Sequence, residues 1–244
     1  MDIYAINDLG QLLATNPYPG RGIVIGKSAD GKHAAIAYFI MGRSTNSRNR
    51  IFETTDDGIR TKAYDESKLE DPSLIIYHPV RRLDNKLIVT NGDQTDTIRD
   101  GMAAGKSFPE SLKSRCFEPD GPNWTPRISG LLTFVEGGFD YSMSILKSAD
   151  AEGSACNRFT YDYAALSGLG HFIHTYVTDG NPIPTFQGEP ERVAIGNCAK
   201  EFTEMVWEKL NADNKISLYT NWINLTTGEE TVTIINKHQQ EGEY

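Results

Sequence analysis

Short runs of apolar and β-branched residues recur over almost the whole length of this 244-residue chain. Turn-forming groups such as PYPG, ADGK and LDN separate them, a pattern typical of β-strands. Strands are predicted at RGIVIG, AAIAYFIM, SLIIYHPV, KLIVT, ISGLLTFVEG, FDYSMSILKS, RFTYDY, HFIHTYVT, KISLYTNWINL and ETVTIIN. RRLDN and the pair Gly137–Gly138 each predict a hairpin. Because no long polar linker interrupts the series, we predict a single domain over residues 1–244, built from stacked sheets with helices outside.

Helical periodicity is convincing in few places. Residues 197–212, NCAKEFTEMVWEKLNA, place apolar side chains at helical spacing, with Asn197 as a candidate N-cap. Residues 96–105 are the second candidate, with Asp96 or Thr97 as the cap. Residues 179–192, DGNPIPTFQGEPER, predict a loop, either a surface excursion or a lid.

Several motifs with known chemistry are incomplete here. GMAAGKS has its two glycines one residue too close for a phosphate-binding loop, and a polar segment precedes it instead of a strand. His171 and His174 lack the spacing of a zinc helix, and no cysteine pair has zinc-ligand spacing. GRGIVIG leads into a strand instead of following one, which disfavours a dinucleotide site. We therefore predict no metal and no cofactor.

Charge is distributed unevenly along the chain. The net charge of −9 disfavours nucleic acid as a partner. Between Arg21 and Arg50, however, six basic residues face one acid, which suits a small anionic ligand; an exposed basic face without a ligand remains the alternative. No apolar run is long enough for a signal peptide or a membrane span, and the three cysteines are widely spaced. These features predict a cytoplasmic protein with reduced thiols and no membrane partner.

Four polar segments lie where predicted strands begin or end. They are GRSTNSRNR, IYHP, TNGDQTDTI and NWTPRISG. Each has an ordinary structural explanation as a turn, a cap or a packed side chain. Because function tends to lie on loops held by a rigid scaffold, their number favours a site where they converge.

The same segments resemble the archaeal-type inosine monophosphate (IMP) cyclohydrolase family. The matching features occur in the family's order, and they are Gly20-Arg21, Arg43-Ser44 through Arg48, Asn91-Gly92, Thr95-Asp96-Thr97-Ile98 and Thr125-Pro126-Arg127-Ile128. The resemblance covers residues 20 to about 135 well, and residues 191–244 are least similar.

The resemblance implies an α+β fold, a four-layer α-β-β-α sandwich similar to the N-terminal-nucleophile hydrolases. It also implies ring closure of 5-formamidoimidazole-4-carboxamide ribonucleotide (FAICAR) to IMP with loss of water, a step of purine biosynthesis. Its partner would be a purine ribonucleotide, and a homo-oligomer is compatible with it. The implied catalytic residues are Arg48, Tyr77 and Glu118. The implied substrate-binding residues are Arg21, Arg43, Ser44, Asn91, Gly92, Asp96, Thr97, Thr125 and Arg127.

Those residue types suit the reaction. An arginine and a tyrosine hydroxyl can stabilise the oxyanion that forms at the formyl carbon, and a carboxylate can move the amide proton. Two alternatives stay open. One is a purine-nucleotide-binding relative without turnover. The other is an amide hydrolase that would need processing to expose Ser28, Ser44 or Cys116 as its nucleophile.

Overall fold

Two antiparallel sheets dominate the part of the chain that the computed structural model describes, residues 2–69 and 75–240. Their strands are β1 (Arg21–Lys27), β2 (His33–Met41), β3 (Arg50–Thr55), β4 (Gly58–Ala63), β5 (Val80–Leu83), β6 (Lys86–Thr90), β7 (Arg127–Val135), β8 (Gly138–Ser148), β9 (Cys156–Ala164), β10 (Leu169–His174), β11 (Glu191–Ala194), β12 (Lys215–Asn224) and β13 (Glu230–Asn236). One sheet has the order β11-β10-β1-β2-β12-β13, and the other runs from β3 to β9 in sequence order.

Helices are few and short within the described residues. They are α1 (Leu9–Thr15), α2 (Thr45–Arg48), α3 (Gln94–Ala103), α4 (Phe108–Ser111), α5 (Ala199–Lys209) and α6 (Lys237–Gln240). With two sheets and these helices, the α+β class is confirmed.

The main core lies between the two sheets. β1 shows how the strands build it: Ile23 and Ile25 point into this core, whereas Val24 points to the opposite face. Successive side chains of a strand alternate between faces, so a strand buried on both sides reads as a continuous apolar run. Facing residues from the other sheet include Val89 and Ile128.

Helices cover the outer faces of the sheets. Leu13 of α1 and Val206 of α5 pack in one cluster with Val24, on the outer side of the sheet that contains β1. Ile98 of α3 packs with Ile88 of β6 on the outer side of the other sheet. The amphipathic pattern that predicts α5 is therefore explained by a one-sided contact with a sheet.

Most of the predicted strands are confirmed, but SLIIYHPV is wrong. Its first two residues lie outside the described part of the chain, and the strand begins only at Val80 and continues through VRRL. Tyr77 instead bonds to β4, donating its N–H to Thr61 Oγ1 (2.8 Å) and accepting the Thr61 N–H through its carbonyl oxygen (2.8 Å). Ile75 and Tyr77 are buried although they do not belong to a strand, and their burial accounts for the apolar run that resembles one.

Both predicted helices are present, and both predicted caps are wrong. α5 is preceded by Cys198, and the Asn197 side chain accepts the Asp30 N–H at 2.7 Å instead. α3 begins at Gln94, two residues before Asp96. Asp96 lies inside the helix and accepts from Arg81 Nη1 at 2.8 Å.

The segment 179–192 is packed against the body of the protein. Ile183 and Phe186 are buried, and Thr185 pairs with Tyr176 in an isolated bridge. Its last residues, from Glu191 on, form β11. The segment is therefore a packed surface segment, and its residue Ile183 lines the cavity described below.

Candidate functional site

A cavity of about 300 Å³ opens at one end of the sandwich. The strand register explains why distant segments meet there. Arg21, the first residue of β1, pairs with Ile40 near the end of β2, and the adjacent Gly22 pairs with His174 at the end of β10. The segments that follow β2 and β10 therefore lie beside the start of β1. The lining residues are Tyr18, Arg21, Arg43, Ser44, Asn46, Ser47, Ile75, Glu118, Asp120, Asn123, Thr125, Tyr176 and Ile183.

A buried carboxylate and two arginines form the charged centre of this region. Glu118 is 4% exposed and lines the cavity. Arg21 also lines it, and Arg50 is fully buried near both. Nε of Arg21 and Nη1 of Arg50 have no hydrogen-bond partner among the described residues. Buried polar groups are nearly always paired in folded proteins, so two unpaired guanidinium nitrogens indicate a place for an acceptor supplied by a ligand.

The pKa of Glu118 is raised above its ordinary value. Burial is the largest cause, because it disfavours the ionised form, and the nearby Asp120 charge acts in the same direction. Attraction to Arg21, Arg127 and Arg50 offsets only part of that effect. The carboxyl group can therefore change protonation closer to neutral pH than an exposed glutamate.

The two arginines respond differently to their surroundings. Burial lowers the pKa of Arg50, and repulsion from Arg21 lowers it further. For Arg21 burial acts in the same direction, but attraction to Glu118 and to nearby tyrosines raises its pKa overall. The surroundings of Arg50 therefore disfavour its charged form, whereas those of Arg21 favour it.

Two tyrosines adjoin the arginines. The hydroxyls of Tyr38 and Tyr77 are 2.8 Å apart, and both side chains are buried. Burial raises the pKa of Tyr38 well above its ordinary value, so Tyr38 stays a neutral hydroxyl. One of the two hydroxyls donates to the other. When Tyr38 is the donor, the Tyr77 hydroxyl accepts that hydrogen bond and can donate its own proton to another acceptor.

Backbone and side-chain contacts hold the loop that carries Glu118. The Glu118 N–H donates to the Thr125 carbonyl at 2.8 Å, and Asp120 Oδ1 accepts the Thr125 N–H at 2.7 Å. The Thr125 hydroxyl also contacts Asp120 Oδ2 and the Tyr176 hydroxyl. An aspartate that accepts from backbone groups a few residues ahead stabilises a tight turn. This loop fixes Glu118 at the cavity wall.

The rim of the cavity is polar and aromatic. Arg43 is exposed, forms an ion pair with Asp179 and donates to the Gly180 carbonyl at 2.9 Å. Its guanidinium lies 5.1 Å from the ring centroid of Tyr18, and Tyr18 stacks on Tyr176 at 5.8 Å. Arg43 therefore joins two sides of the opening.

Arg48, the arginine predicted to be catalytic, does not line the cavity. It ends α2 and is exposed, and it donates through Nε to the Gly42 carbonyl (3.0 Å) and through Nη2 to Asn214 Oδ1 (3.2 Å). The arginine two residues later, Arg50, has the position beside Glu118 and Tyr77 instead. Arg50 does not line the cavity either, but its charge acts on Glu118, which makes it a second candidate. The catalytic role of Arg48 stays a prediction.

The predicted binding segment TNGDQTDTI lies outside the cavity lining. Asn91 is fully buried, and its amide binds the Pro126 carbonyl, the Ile128 N–H and Gln94 Nε2. Asn91 therefore connects the end of β6 to the start of β7 through these hydrogen bonds. Gly92, Asp96 and Thr97 are likewise absent from the lining residues. Their contact with substrate stays a prediction.

Arg127 is close to Glu118 but is engaged elsewhere. Its Nη1 donates to Asp93 Oδ1 at 2.7 Å and to Gln94 Oε1 at 2.8 Å. Arg115 also pairs with Asp93. The close approach of Arg127 explains why position 92 is a glycine, since a Cβ there would lie 2.5 Å from Arg127 Nη1. Arg127 acts on Glu118 through its charge.

We expect Asn91→Ala to lower the free energy of unfolding by about 2–3 kcal/mol, because it leaves the buried Ile128 N–H without its acceptor. Urea denaturation measures the change. Asn157→Ala, at an exposed position, serves as the control and should change stability little. Equal losses in the two variants would contradict the assigned role of Asn91.

Several neighbours of the site were not predicted from the sequence. They are Tyr18, Tyr38, Arg50, Asp120 and Tyr176. Tyr38 belongs to a predicted strand and Arg50 to the basic segment that begins at Arg21. Nothing in the sequence around either residue distinguishes it from its neighbours. Tyr176 lies 51 residues from its partner Thr125, so only the strand pairing brings them together.

Other kinds of site are not seen in the described ranges. No group of three or more His, Cys, Asp or Glu side chains there could hold a metal ion. None of the helices described is long and apolar enough to cross a membrane. Ser28, one of the alternative nucleophiles, is fully buried and donates to Asp30 Oδ1 at 2.7 Å.

Comparison with known proteins identifies relatives of this chain. The model of a family described as "IMP cyclohydrolase-like protein" matches residues 18–229. Curated proteins named IMP cyclohydrolase are similar at the sequence level. The Methanopyrus kandleri protein is 34% identical over 116 residues, which cover 46% of this chain and 57% of the relative. The Methanosphaera stadtmanae protein is 32% identical over 126 residues, 50% of this chain and 61% of the relative.

A third relative, from Methanococcus aeolicus, is 30% identical over 119 residues, which cover 47% of this chain and 58% of the relative. In all three cases the chain spans less than two thirds of the length of the relative that it matches.

Proposed function

The chain belongs to the IMP cyclohydrolase-like family, and from that premise we propose that it closes the ring of FAICAR to form IMP with loss of water. The observation that carries the proposal is the buried Glu118 carboxyl at the cavity wall, with Arg21 in the same lining and the charge of the buried Arg50 acting on it; each arginine has one guanidinium nitrogen without a hydrogen-bond partner among the described residues. That arrangement supplies a proton-transfer group and positive charge at the same place.

The finer fold assignment is part of the proposal. We assign the whole chain to one domain of the four-layer α-β-β-α type, similar to the N-terminal-nucleophile hydrolases. Support comes from the core between the sheets and from the helices packed on both outer faces. In this assignment the site lies at one end of the sandwich, where segments from both sheets meet.

Ring closure joins the carboxamide nitrogen of FAICAR to its formyl carbon. Glu118, once ionised, takes the proton of the attacking nitrogen and later returns a proton to the hydroxyl that leaves as water. The formyl oxygen gathers negative charge as the new bond forms. Arg50 and the Tyr77 hydroxyl stabilise that charge, and a well-placed donor of this kind contributes about 3–4 kcal/mol.

The substrate's phosphate requires cationic donors away from the reacting atoms. Arg43 at the rim, together with the hydroxyls of Ser44 and Ser47, suits a phosphate group at the opening. Arg21 lies deeper, next to Glu118, where it offsets the carboxylate charge. The stacked Tyr18 and Tyr176 supply an aromatic surface between these two regions.

Cavity size is compatible with a single small ligand. The volume of about 300 Å³ lies at the lower end of the range for small-molecule sites, roughly 300–1,000 Å³. A mononucleotide fits that range better than a polymer does.

The deciding experiment is a cyclisation assay with FAICAR, followed by absorbance and by identification of IMP. Formation of IMP at a rate proportional to protein concentration supports the proposal. Well-folded protein that binds FAICAR or IMP without turnover would overturn it and would favour the nucleotide-binding alternative. Calorimetric titration with IMP separates that outcome from a failure to bind at all.

Activity should depend on pH through Glu118. Since the pKa of Glu118 is raised, the ionised base is lost as pH falls through a value above that of an ordinary glutamate, about 4.3. We expect kcat/KM to rise with pH along a limb displaced upwards accordingly. The substrate's phosphate titrates near pH 6 and is followed separately by phosphorus NMR, so that its fraction can be divided out. An acid limb at the ordinary glutamate value would contradict the assignment.

A further inference from the structure

Two of the three cysteines meet beside the loop that carries Glu118. Cys116 lies in that loop, and Cys156 is the first residue of β9, forty positions further along the chain. Both are free thiols, Cys116 exposed and Cys156 partly buried. The Arg158 guanidinium bridges the two segments, because its Nη1 donates to the Cys156 carbonyl at 3.2 Å and its Nη2 donates to the carbonyl of Arg115, the residue before Cys116. The remaining cysteine, Cys198, precedes α5 on the other sheet.

Independent contacts hold the loop against β9. Arg158 donates through Nη2 to the Arg115 carbonyl at 2.6 Å, and the same nitrogen lies 3.5 Å from the Lys113 carbonyl. Cys156 packs against the apolar cluster that contains Phe108 and Leu112, which precede the loop. The approach of the two thiols is therefore part of a packed contact between two segments.

We propose that Cys116 and Cys156 are a thiol-modification site, at which they form a reversible intramolecular disulfide by exchange with a small disulfide of the glutathione type. None of the proposed ring-closing groups is a thiol, and neither cysteine is among the residues that line the cavity. The site is therefore separate from the ring-closing groups and adjacent to them.

The exchange balances in two steps. The Cys116 thiolate attacks one sulfur of oxidised glutathione, breaks its S–S bond and releases one glutathione thiolate. The Cys156 thiolate then attacks the Cys116 sulfur of the mixed disulfide and releases the second glutathione. Two electrons pass from the protein to glutathione, and the two thiol protons are taken up by the released thiolates or by solvent.

Exposure assigns the order of attack. Cys116 is open to a soluble disulfide, whereas Cys156 is partly buried. Burial, followed by the neighbouring Cys116, raises the pKa of Cys156, so Cys156 is the weaker first nucleophile and acts as the resolving thiol.

The bond would also affect the reaction site. Cys116 is two residues before Glu118, whose N–H is tied to the Thr125 carbonyl. A disulfide fixes the Cβ–Cβ separation at about 3.8 Å, so its formation constrains the Cys116 backbone against β9 and can shift Glu118. Displacement of a reacting group by about 1 Å can cost roughly 10²-fold in rate. We expect oxidation to lower turnover by about tenfold or more, and this effect rests on the proposed function while the bond itself does not.

The bond is tested by thiol counting on the full-length protein. Reduced protein is freed of reductant, incubated with oxidised glutathione, and alkylated with N-ethylmaleimide in denaturant before intact-mass measurement. Oxidation should leave one alkylated thiol, Cys198, in place of three. A non-reducing peptide map should show the peptides of Cys116 and Cys156 joined. Cys198→Ser should not prevent the bond, whereas Cys116→Ser and Cys156→Ser should each abolish it.

Two results would overturn the bond: a glutathione adduct that persists on Cys116 without resolution, and three alkylated thiols after incubation. For the coupling to the site, turnover is compared before oxidation, after it and after dithiothreitol. Recovery with dithiothreitol, together with insensitivity of Cys116→Ser, supports the coupling, and unchanged turnover of fully bridged protein overturns it. If even the reduced protein lacks turnover, the proposed function fails while the mass result still decides the bond.

Discussion

Replacing Glu118 by Gln should lower kcat for ring closure by about 10²–10⁴-fold, the usual contribution of a general acid–base group. The substitution keeps the size and shape of the side chain but removes its ability to take a proton. Asp120 also lines the cavity, but both of its carboxylate oxygens are engaged by Thr125, so it is not placed to replace Glu118. Steady-state kinetics with FAICAR measure the loss. Binding of IMP should persist, since the rim residues are unchanged.

Stability measurements separate this effect from misfolding. The pKa of folded Glu118 is raised, so its ionisation costs folding free energy, and the protein loses stability as pH rises from the unfolded to the folded pKa. At neutral pH Glu118→Gln removes that cost and should unfold at an equal or higher urea concentration. Glu136→Gln, in an exposed turn, is the matched control and should keep full activity. A Glu118→Gln variant with parental kcat would refute the assigned role.

Replacing Arg50 by Lys should lower kcat by about 10²–10³-fold, because it removes a guanidinium donor from the oxyanion position. Lysine keeps a positive charge but lacks the planar fork of donors. Its ammonium cannot reproduce both the bond to the Ser47 carbonyl and the position of Arg50 Nη1, which has no partner among the described residues. The same change at Arg48 is the matched control. Arg48 is exposed and bonds only to Gly42 and Asn214 among its side-chain partners in the described residues, so Arg48→Lys should cost less than about threefold.

The pair of variants decides between the two arginines. A large loss in Arg48→Lys and parental kcat in Arg50→Lys would restore the sequence-based choice of Arg48. Because Arg50 is fully buried, its variant is first checked by circular dichroism and urea denaturation. If Arg50→Lys unfolds, addition of guanidinium to a folded Arg50→Ala protein provides a second test, in which partial recovery of turnover supports the role.

Strands with two buried faces were predictable from their apolar runs; of the more exposed strands, β9 and β13 were predicted, whereas β3 and β4 were missed. β1 and β2 are continuous apolar runs because one face meets the other sheet and the opposite face meets helices. β3 and β4 read RIFETT and GIRTKA, and alternating exposure leaves them too polar to stand out. The error at SLIIYHPV has the opposite origin, since tertiary contacts bury Ile75 and Tyr77 outside any strand.

The site shows the same division. Sequence alone identified Arg21, Arg43, Ser44, Glu118 and Thr125, which the structure brings to one cavity, and it placed Tyr77 close to them. It also identified Asn91 and Arg127, which serve the β6–β7 connection and its ion pairs. Polar residues at strand ends look alike in sequence whether they bind a ligand or the neighbouring backbone, because both uses require the same hydrogen-bonding groups.

By itself, the sequence determined the sheet-rich class, the family and the segments that carry the polar groups, because these follow from local composition and from ordered motifs. Tertiary structure alone decided which of the two arginines is buried. The short helix α2 turns the chain so that Arg48 ends on the surface, and Arg50, at the start of β3, points into the interior. Two residues separate these positions along the chain. Their environments differ because burial is set by the packing of both sheets, which no local pattern contains.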